Sequence, residues 1–379
     1  MGLPSKNRLA GDWWAAVMPL LATFVAFALA LIIGAFVLLA LGANPIQAYG
    51  ALLDGAFGTS TNLLRVFTRA TPLLLVAIGV CIAFRGGVVN IGVEGQLFVG
   101  AISATAFSLA FSDKLPPFSV GILTLLAGTL AGAAWGAVPG FLKARFEVNE
   151  ILSTVMMNEI AVQLLLYLLS GPMIDPEQVA QGTRVPQSAR LPEVSWLLEL
   201  DSRSALHIGV FIAIGMAILA WVLLWRTTIG YRIRAVGLNR DAARYAGISV
   251  QRYLTLALTF SGALAGLAGA VHVQGAEHRM VEGFAVGYGF SGIVVALFGR
   301  LHPLGAIPAA FLFGVLLVGA DKMQRTVQIP TATVIVLQGL VVIFVVSSDY
   351  FVRRWLARRA ARAIQAPAVT TTTSQEVSA

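Results

Sequence analysis

Ten stretches of this chain carry no charged side chain, or almost none, and they decide what it can fold into. They lie at 15–41, 70–84, 95–112, 115–142, 151–174, 205–225, 253–276, 283–299, 301–320 and 326–348. A helix crossing a bilayer takes about 20 mostly apolar residues. Lipid offers the backbone no hydrogen-bond partner, so each crossing must satisfy its own amides. The chain is 58% hydrophobic and 12% charged, against about 25% charged in soluble proteins. The fold class expected is therefore all-α: a polytopic membrane protein with about ten transmembrane helices. Runs 70–84 and 283–299 hold only 15 and 17 residues, and Glu159 interrupts run 151–174. Short or broken segments in both halves of a membrane protein point to a solute path.

The net charge of +8 follows from where the basic residues fall. If both termini are cytoplasmic and ten spans alternate, 17 of the 26 Lys and Arg lie inside and nine outside. That asymmetry obeys the positive-inside rule and leaves no reason to invoke nucleic acid. The boundaries expected are a cytoplasmic N-terminal segment 1–14, a transmembrane region 15–352, and a basic, then disordered, cytoplasmic tail 353–379. The first run, 27 residues long, exceeds a signal-peptide core and reads as a retained span. An extracytoplasmic loop 171–204 contains four prolines, and VSWLLEL (194–200) suggests a short amphipathic helix on the outer surface. An inner loop occupies 226–252.

Catalytic chemistry finds no foothold. The single cysteine, Cys81, excludes an intrachain disulfide. Histidines 207, 272, 278 and 302 lack ligand spacing for a metal. No P-loop is present, so ATP is not hydrolysed by this chain through one, and no Gly-x-Ser-x-Gly elbow appears.

The polar anomaly is RGGVVNIGVEGQLFVGA, residues 85–101. Asn90, Glu94 and Gln96 fall at membrane depth, with Gly86, Gly87, Gly92 and Gly95 loosening the backbone. Ionisable groups there are expensive and face protein or water. A second polar group follows in NEILSTVMMNEIA (149–161), with Asn149, Glu150, Asn158 and Glu159. Each residue has a structural reading as well: the amides satisfy bent backbone, and Glu94 pairs with Arg85 or caps exposed N–H groups of a helix. Together the seven suggest the wall of a polar path. A base and a ribose offer donors and acceptors without charge, and neutral or paired polar groups suit them.

Two packing features stand beside this. Gly128, Gly132, Gly136 and Gly140 form one stripe on a helix, and Gly262 with Gly266 repeats the device, as close helix packing requires. Glycine-rich polar breaks at 85–96 and 274–292 hint at an internal duplication of two five-span halves.

The inner segment 230–254 contains RDAARYAGI, a short helix by composition. Asp241 favours the positive end of its dipole, Ala242, Ala243 and Ala246 form a small face, and Gly247 is a stop. Such a knob suits a groove on a motor subunit; such a loop also simply connects spans. Gly237, Asn239, Ala242, Ala243, Gly247 and Ile248 resemble the coupling-loop pattern G-x-N-x-x-A-A-x-x-x-G-I. That pattern belongs to ABC-transporter permeases of the branched-chain amino acid, monosaccharide and nucleoside group. The resemblance extends through SGIVVALFGRLHPLGAIPAAFLFG (291–314) and covers most of 60–350. NIGVEGQ (90–96) and NEILSTVMMNEIA resemble the nucleoside-type branch, with one departure: Glu159 stands where a neutral residue is expected.

The resemblance implies a permease subunit of an importer in a bacterial plasma (inner) membrane, carrying nucleosides. No cofactor is bound by this chain; ATP sits on separate ABC ATPase subunits. Further partners implied are a second permease, homologous or identical, an extracytoplasmic substrate-binding protein and a small-molecule substrate. The ATPase contact would comprise Gly237, Asn239, Arg240, Asp241, Ala242, Ala243, Tyr245, Gly247 and Ile248. A simple sugar or other small solute is the alternative cargo. An ion-driven transporter using Glu94 and Glu159 as proton carriers is the alternative mechanism.

Overall fold

The computed structural model describes residues 9–183, 185–284, 287–330 and scattered positions between 333 and 354. Two compact units emerge: Ile46–Ile329, and a smaller one made of Met1–Pro45 with Pro330–Ala379. In the smaller unit, α1 (Leu9–Ala40) begins six residues before the first apolar run. Most of the tail 353–379 and much of run 326–348 lie outside the described residues.

The larger unit holds α2 (Pro45–Phe57), α3 (Ser60–Arg85), α4 (Val93–Phe111), α5 (Pro117–Phe146) and α6 (Glu150–Ser170). After the outer loop, with its short α7 (Pro176–Ala180), come α8 (Gly209–Arg226), α9 (Thr228–Leu238), α10 (Arg240–Tyr245), α11 (Val250–His272), α12 (Tyr288–Phe298) and α13 (Ala306–Val327). Among the described residues seven helices are long and apolar enough to cross a membrane, or eight if the bent pair Ala28–Ala40 and Pro45–Phe57 counts as one span. The short run 70–84 belongs to a 26-residue helix, because α3 continues back through Arg69 and Arg65 to Ser60. Run 283–299 does stay short: α12 has 11 residues.

α3, α4 and α11 form the buried centre. Glycine makes it possible. A Cβ on Gly132 of α5 would run into the carbonyl of Gly262 and the backbone of Gly266 on α11. One on Gly100 of α4 would meet Gly266 as well. Backbones this close replace side-chain interdigitation with direct van der Waals contact, as small-residue seams do where lipid supplies no hydrophobic drive.

The segment 171–204 is bound down along the end of α11. Ser188 N donates to Met280 O (2.8 Å), Leu191 N to His278 O (2.8 Å) and Leu197 N to Gln274 O (3.2 Å). The helix expected over 194–200 does not form. A 3-10 turn at Glu193–Ser195 is followed by β1 (Glu199–Asp201), antiparallel to β2 (Leu206–His207). The backbone there is committed to tertiary bonds, which a helix would have taken back. Trp196 lies between the His278 ring, stacked at 3.9 Å, and the Arg190 guanidinium at 4.8 Å. Burial, and the neighbouring His278, push the His207 imidazole down to about 4. Burial also lowers His278, with Arg190 adding to it against Glu199.

Candidate functional site

Between α3 and α4 the chain leaves helical geometry over residues 86–92, inside the packed core. Backbone bent there must find partners in protein, and the polar side chains of this stretch supply them. Asn90, fully buried, donates from Nδ2 to Gln96 Oε1 (2.9 Å) and Ser261 Oγ (2.8 Å), and its Oδ1 accepts from Gly92 N (3.0 Å). Asn158 reaches in from α6: its Oδ1 accepts from Gly95 N (2.8 Å) and its Nδ2 donates to Ile91 O (2.9 Å). A Cβ on Gly95 would come within 2.9 Å of Asn158 Cα, so the two elements touch through backbone.

The two polar breaks that the sequence shows separately meet here. Glu94, in the first turn of α4, turns its carboxylate to the start of α12. Oε1 accepts from Gly287 N (2.5 Å) and Oε2 from Gly289 N (2.6 Å). Gly287 has φ of 85°, a left-handed backbone that leaves both amides pointing at the acid. A carboxylate at a helix N-terminus satisfies orphan donors and the positive end of the dipole together. Glu94 is thus a cap supplied from another helix. Arg85 is engaged elsewhere, donating to Leu301 O (3.0 Å) and lying over Trp225. Tyr288, the residue between the two capped glycines, accepts from Arg69 through its hydroxyl (3.0 Å).

Of the remaining predicted path residues, Asn149 and Glu150 sit together at the start of α6. Asn149 Oδ1 accepts from Ile151 N (2.9 Å) as the helix cap, and Glu150 pairs with Lys143 at 2.8 Å. Glu159 is apart from all of these: it lies on the exposed face of α6, about 100° around the helix from Asn158. Gln163 and Tyr167, which sequence reading did not single out, follow it at four-residue steps on that face. Their signal was the spacing, i, i+4 and i+8 from an intramembrane acid.

At the other end of the break, α9 and α10 pack against it. Gly237 leaves no room for a Cβ beside Arg85 O and Gly87 N, and Arg240 donates to Gly87 O (3.0 Å). Asn239 caps α10, accepting from Asp241 N and Ala242 N (both 3.0 Å). Ala243 is buried beneath the short helix. Gly247 closes it at φ of 76°, and Ile248 N returns to Ala243 O (2.9 Å), a left-handed helix stop. Tyr245 is 99% exposed and Leu238 88%, two large side chains held out beside a string of arginines.

A cavity of about 670 Å³ opens at the opposite end of the helices. Asn62, Arg65 and Arg69 of α3, Ser202–Ala205, His272 with Glu277, and Asp321, Lys322 and Arg325 of α13 line it. Arg65 donates to Arg203 O (3.4 Å) and Lys322 pairs with Asp54. Sequence reading did not find this cavity, since its walls come from four separate parts of the chain. Among the described residues no group of His, Cys, Asp and Glu could hold a metal ion.

A core of close-packed helices around a polar break, with a capped knob at one end and a charged cavity at the other, is the setting for the comparison with known proteins. Residues 62–346 match the family described as "branched-chain amino acid transport system / permease component". The chain belongs to that family of transport permeases. It is 37% identical over 330 residues to a guanosine ABC transporter permease of Bacillus subtilis, covering 87% of this chain and 93% of the relative. A nucleoside ABC transporter permease of Lactococcus lactis is 34% identical over 333 residues, 87% of this chain and 90% of that one. A glucose ABC transporter permease of Haloferax volcanii is 33% identical over 352 residues, 92% and 91% of the two chains. With the apolar helices, membership makes this permease a multi-pass protein of the plasma membrane and the membrane-spanning component of its transporter.

Proposed function

We propose that this permease forms the translocation path of an ABC importer for nucleosides and is driven by separate ATPase subunits. The observation that carries the driven half is α10. Asn239 and Gly247 close a six-residue helix at both ends, and Leu238 and Tyr245 stand exposed on either side of it. A rigid element with exposed apolar residues at a strongly basic end suits insertion into a partner's groove. Nucleosides as cargo rest on the guanosine and nucleoside permeases among its relatives. The glucose permease at 33% identity favours a simple sugar as the second reading.

ATP binds the ATPases, not this chain, and the full importer adds a second permease of the same family and an extracytoplasmic substrate-binding protein. Ten spans with both termini inside fit the separation of charge. Arg85, Arg234, Arg240 and Arg300 gather around one end of the core, with Arg65, Arg69, Arg203 and Arg325 around the other. The first end would be cytoplasmic, and the second would face the binding protein.

The test is ATP-driven uptake of radiolabelled guanosine, uridine and glucose into vesicles holding the assembled importer. Nucleoside uptake that requires ATP is expected, with replacement of Ala243 and Gly247 by bulky residues abolishing it. Uptake unchanged in those variants would remove the coupling role; uptake of glucose alone would replace the cargo.

A further inference from the structure

α6 poses a problem for a helix in a bilayer. Its buried side carries Thr154, Asn158, Ala161, Leu165 and Leu169, and its outward side sets Glu159, Gln163, Tyr167 and Ser170 among Leu152, Met156 and Ile160. Glu159 is the tenth of 21 residues, so its Cα lies about 14 Å along the helix at 1.5 Å per residue. That is mid-membrane. No side chain among the described residues hydrogen-bonds Glu159 or Gln163, and both are exposed. An ionised carboxylate facing hydrocarbon there would cost several kcal/mol, and the uncharged polar atoms of Gln163 would add to it. The outward stripes of α5 and α8 are apolar instead: α5 presents Phe118, Ile122, Leu126, Leu130 and Val138, and α8 presents Phe211, Ile218 and Leu219.

We propose that the exposed face of α6 is a water-filled wall of the translocation path, facing the second permease, and that Glu159, Gln163 and Tyr167 contact the nucleoside as it passes. The cargo named here rests on the function proposed above; the wetness of the face does not. The chemistry matches a neutral, ring-bearing, hydroxylated solute. Glu159 accepts from ribose hydroxyls or an exocyclic amine. Gln163, one turn away, offers a donor and an acceptor. Tyr167, 68% exposed, gives a base a flat surface to stack on. A simple hydrocarbon-facing helix needs none of the three. Asn158 on the other side holds the break loop, so the wall is fastened to the element that also touches Arg240.

The test uses the assembled importer in proteoliposomes, with Gln163→Cys and Leu130→Cys made singly. The native Cys81 is fully buried and gives a silent background. An impermeant sulfonated thiosulfonate reagent should modify Q163C at least tenfold faster than L130C, and saturating uridine or guanosine should slow the reaction. Equal rates at the two positions would overturn the wall. Fast labelling that nucleoside does not slow would overturn the contact. Glu159→Gln should raise KM for nucleoside uptake by about tenfold, the scale of one charge-assisted hydrogen bond, with Tm unchanged; a lowered Tm at constant KM would make Glu159 structural. If the unmodified importer takes up no nucleoside, the cargo falls, while the labelling ratio still decides whether the face is wet.

Discussion

α5 and α6 look interchangeable by the measures usually applied to membrane helices. Each has a mean hydropathy of 1.6 over its most apolar window, and each is 22% buried there. Their faces say otherwise. α5 turns glycines to its neighbour and hydrocarbon side chains outward, a helix whose side chains serve lipid and whose backbone serves packing. α6 turns polar groups in both directions, Asn158 and Thr154 to the break and Glu159, Gln163 and Tyr167 away from it. Averages erase the difference between a helix that ends at lipid and one that continues a polar path. The position of each polar residue around the helix retains it.

The largest effect is expected on the packed face of α5. Gly132→Leu would place a side chain where the backbone of Gly262 and Gly266 lies. Flexible neighbours cannot absorb that, because the obstacle is main chain. A cost of about 3 kcal/mol or more follows, the upper range for overpacking, read as loss of monodisperse protein after detergent extraction. The same leucine placed at Gln163 should leave extraction normal. If both variants extract alike, the seam is not what joins α5 to α11.

Next is the packed face of α6. Asn158→Ala would leave Gly95 N and Ile91 O without their side-chain partner at the break. Each unsatisfied buried group costs about 1–3 kcal/mol, so a loss of about 3 kcal/mol is expected, measured as a drop in Tm. Amide exchange should rise at residues 91–95 specifically. A uniform rise over the whole core would mean that Asn158 supports general packing and not the break.

How much of this could be read in the sequence depends on whether the information was local. The glycine stripes of α5 and α11, the short helix at 240–245 with its stop at Gly247, and the polarity of 85–96 are all local, and the structure puts each on a matching element. The outer loop misled because its backbone bonds run to Gln274, His278 and Met280, between 77 and 92 positions away. The extent of α3 misled for a different reason. Arg65 and Arg69 end the charge-free run, yet both remain helical because a polar cavity receives them. Glu94 shows the limit most clearly. Its sequence marks an acid at membrane depth, but its partners are two amides 193 and 195 residues further on, and no spacing rule connects them.

The exposed faces give the sharpest contrast, and Glu159→Leu the smallest expected change in stability. Leu130→Asp places a carboxylate in the middle of the outward stripe of α5, where insertion scales assign about 3 kcal/mol; a fall in membrane-inserted protein is expected. Glu159→Leu makes the reverse exchange at similar depth on α6. If that face meets hydrocarbon, the leucine should improve insertion by a comparable amount and leave uptake alone. If it meets water, stability should move by less than about 0.5 kcal/mol, as for surface substitutions away from packed features, while nucleoside uptake falls. Leu130→Asp adds an acid to the outward face of α5 and Glu159→Leu removes one from that of α6, so the two changes in inserted protein, each read against the native chain, compare the surroundings. A stabilised, fully active Glu159→Leu would make the two helices equivalent after all, with Glu159 a tolerated accident on a lipid face.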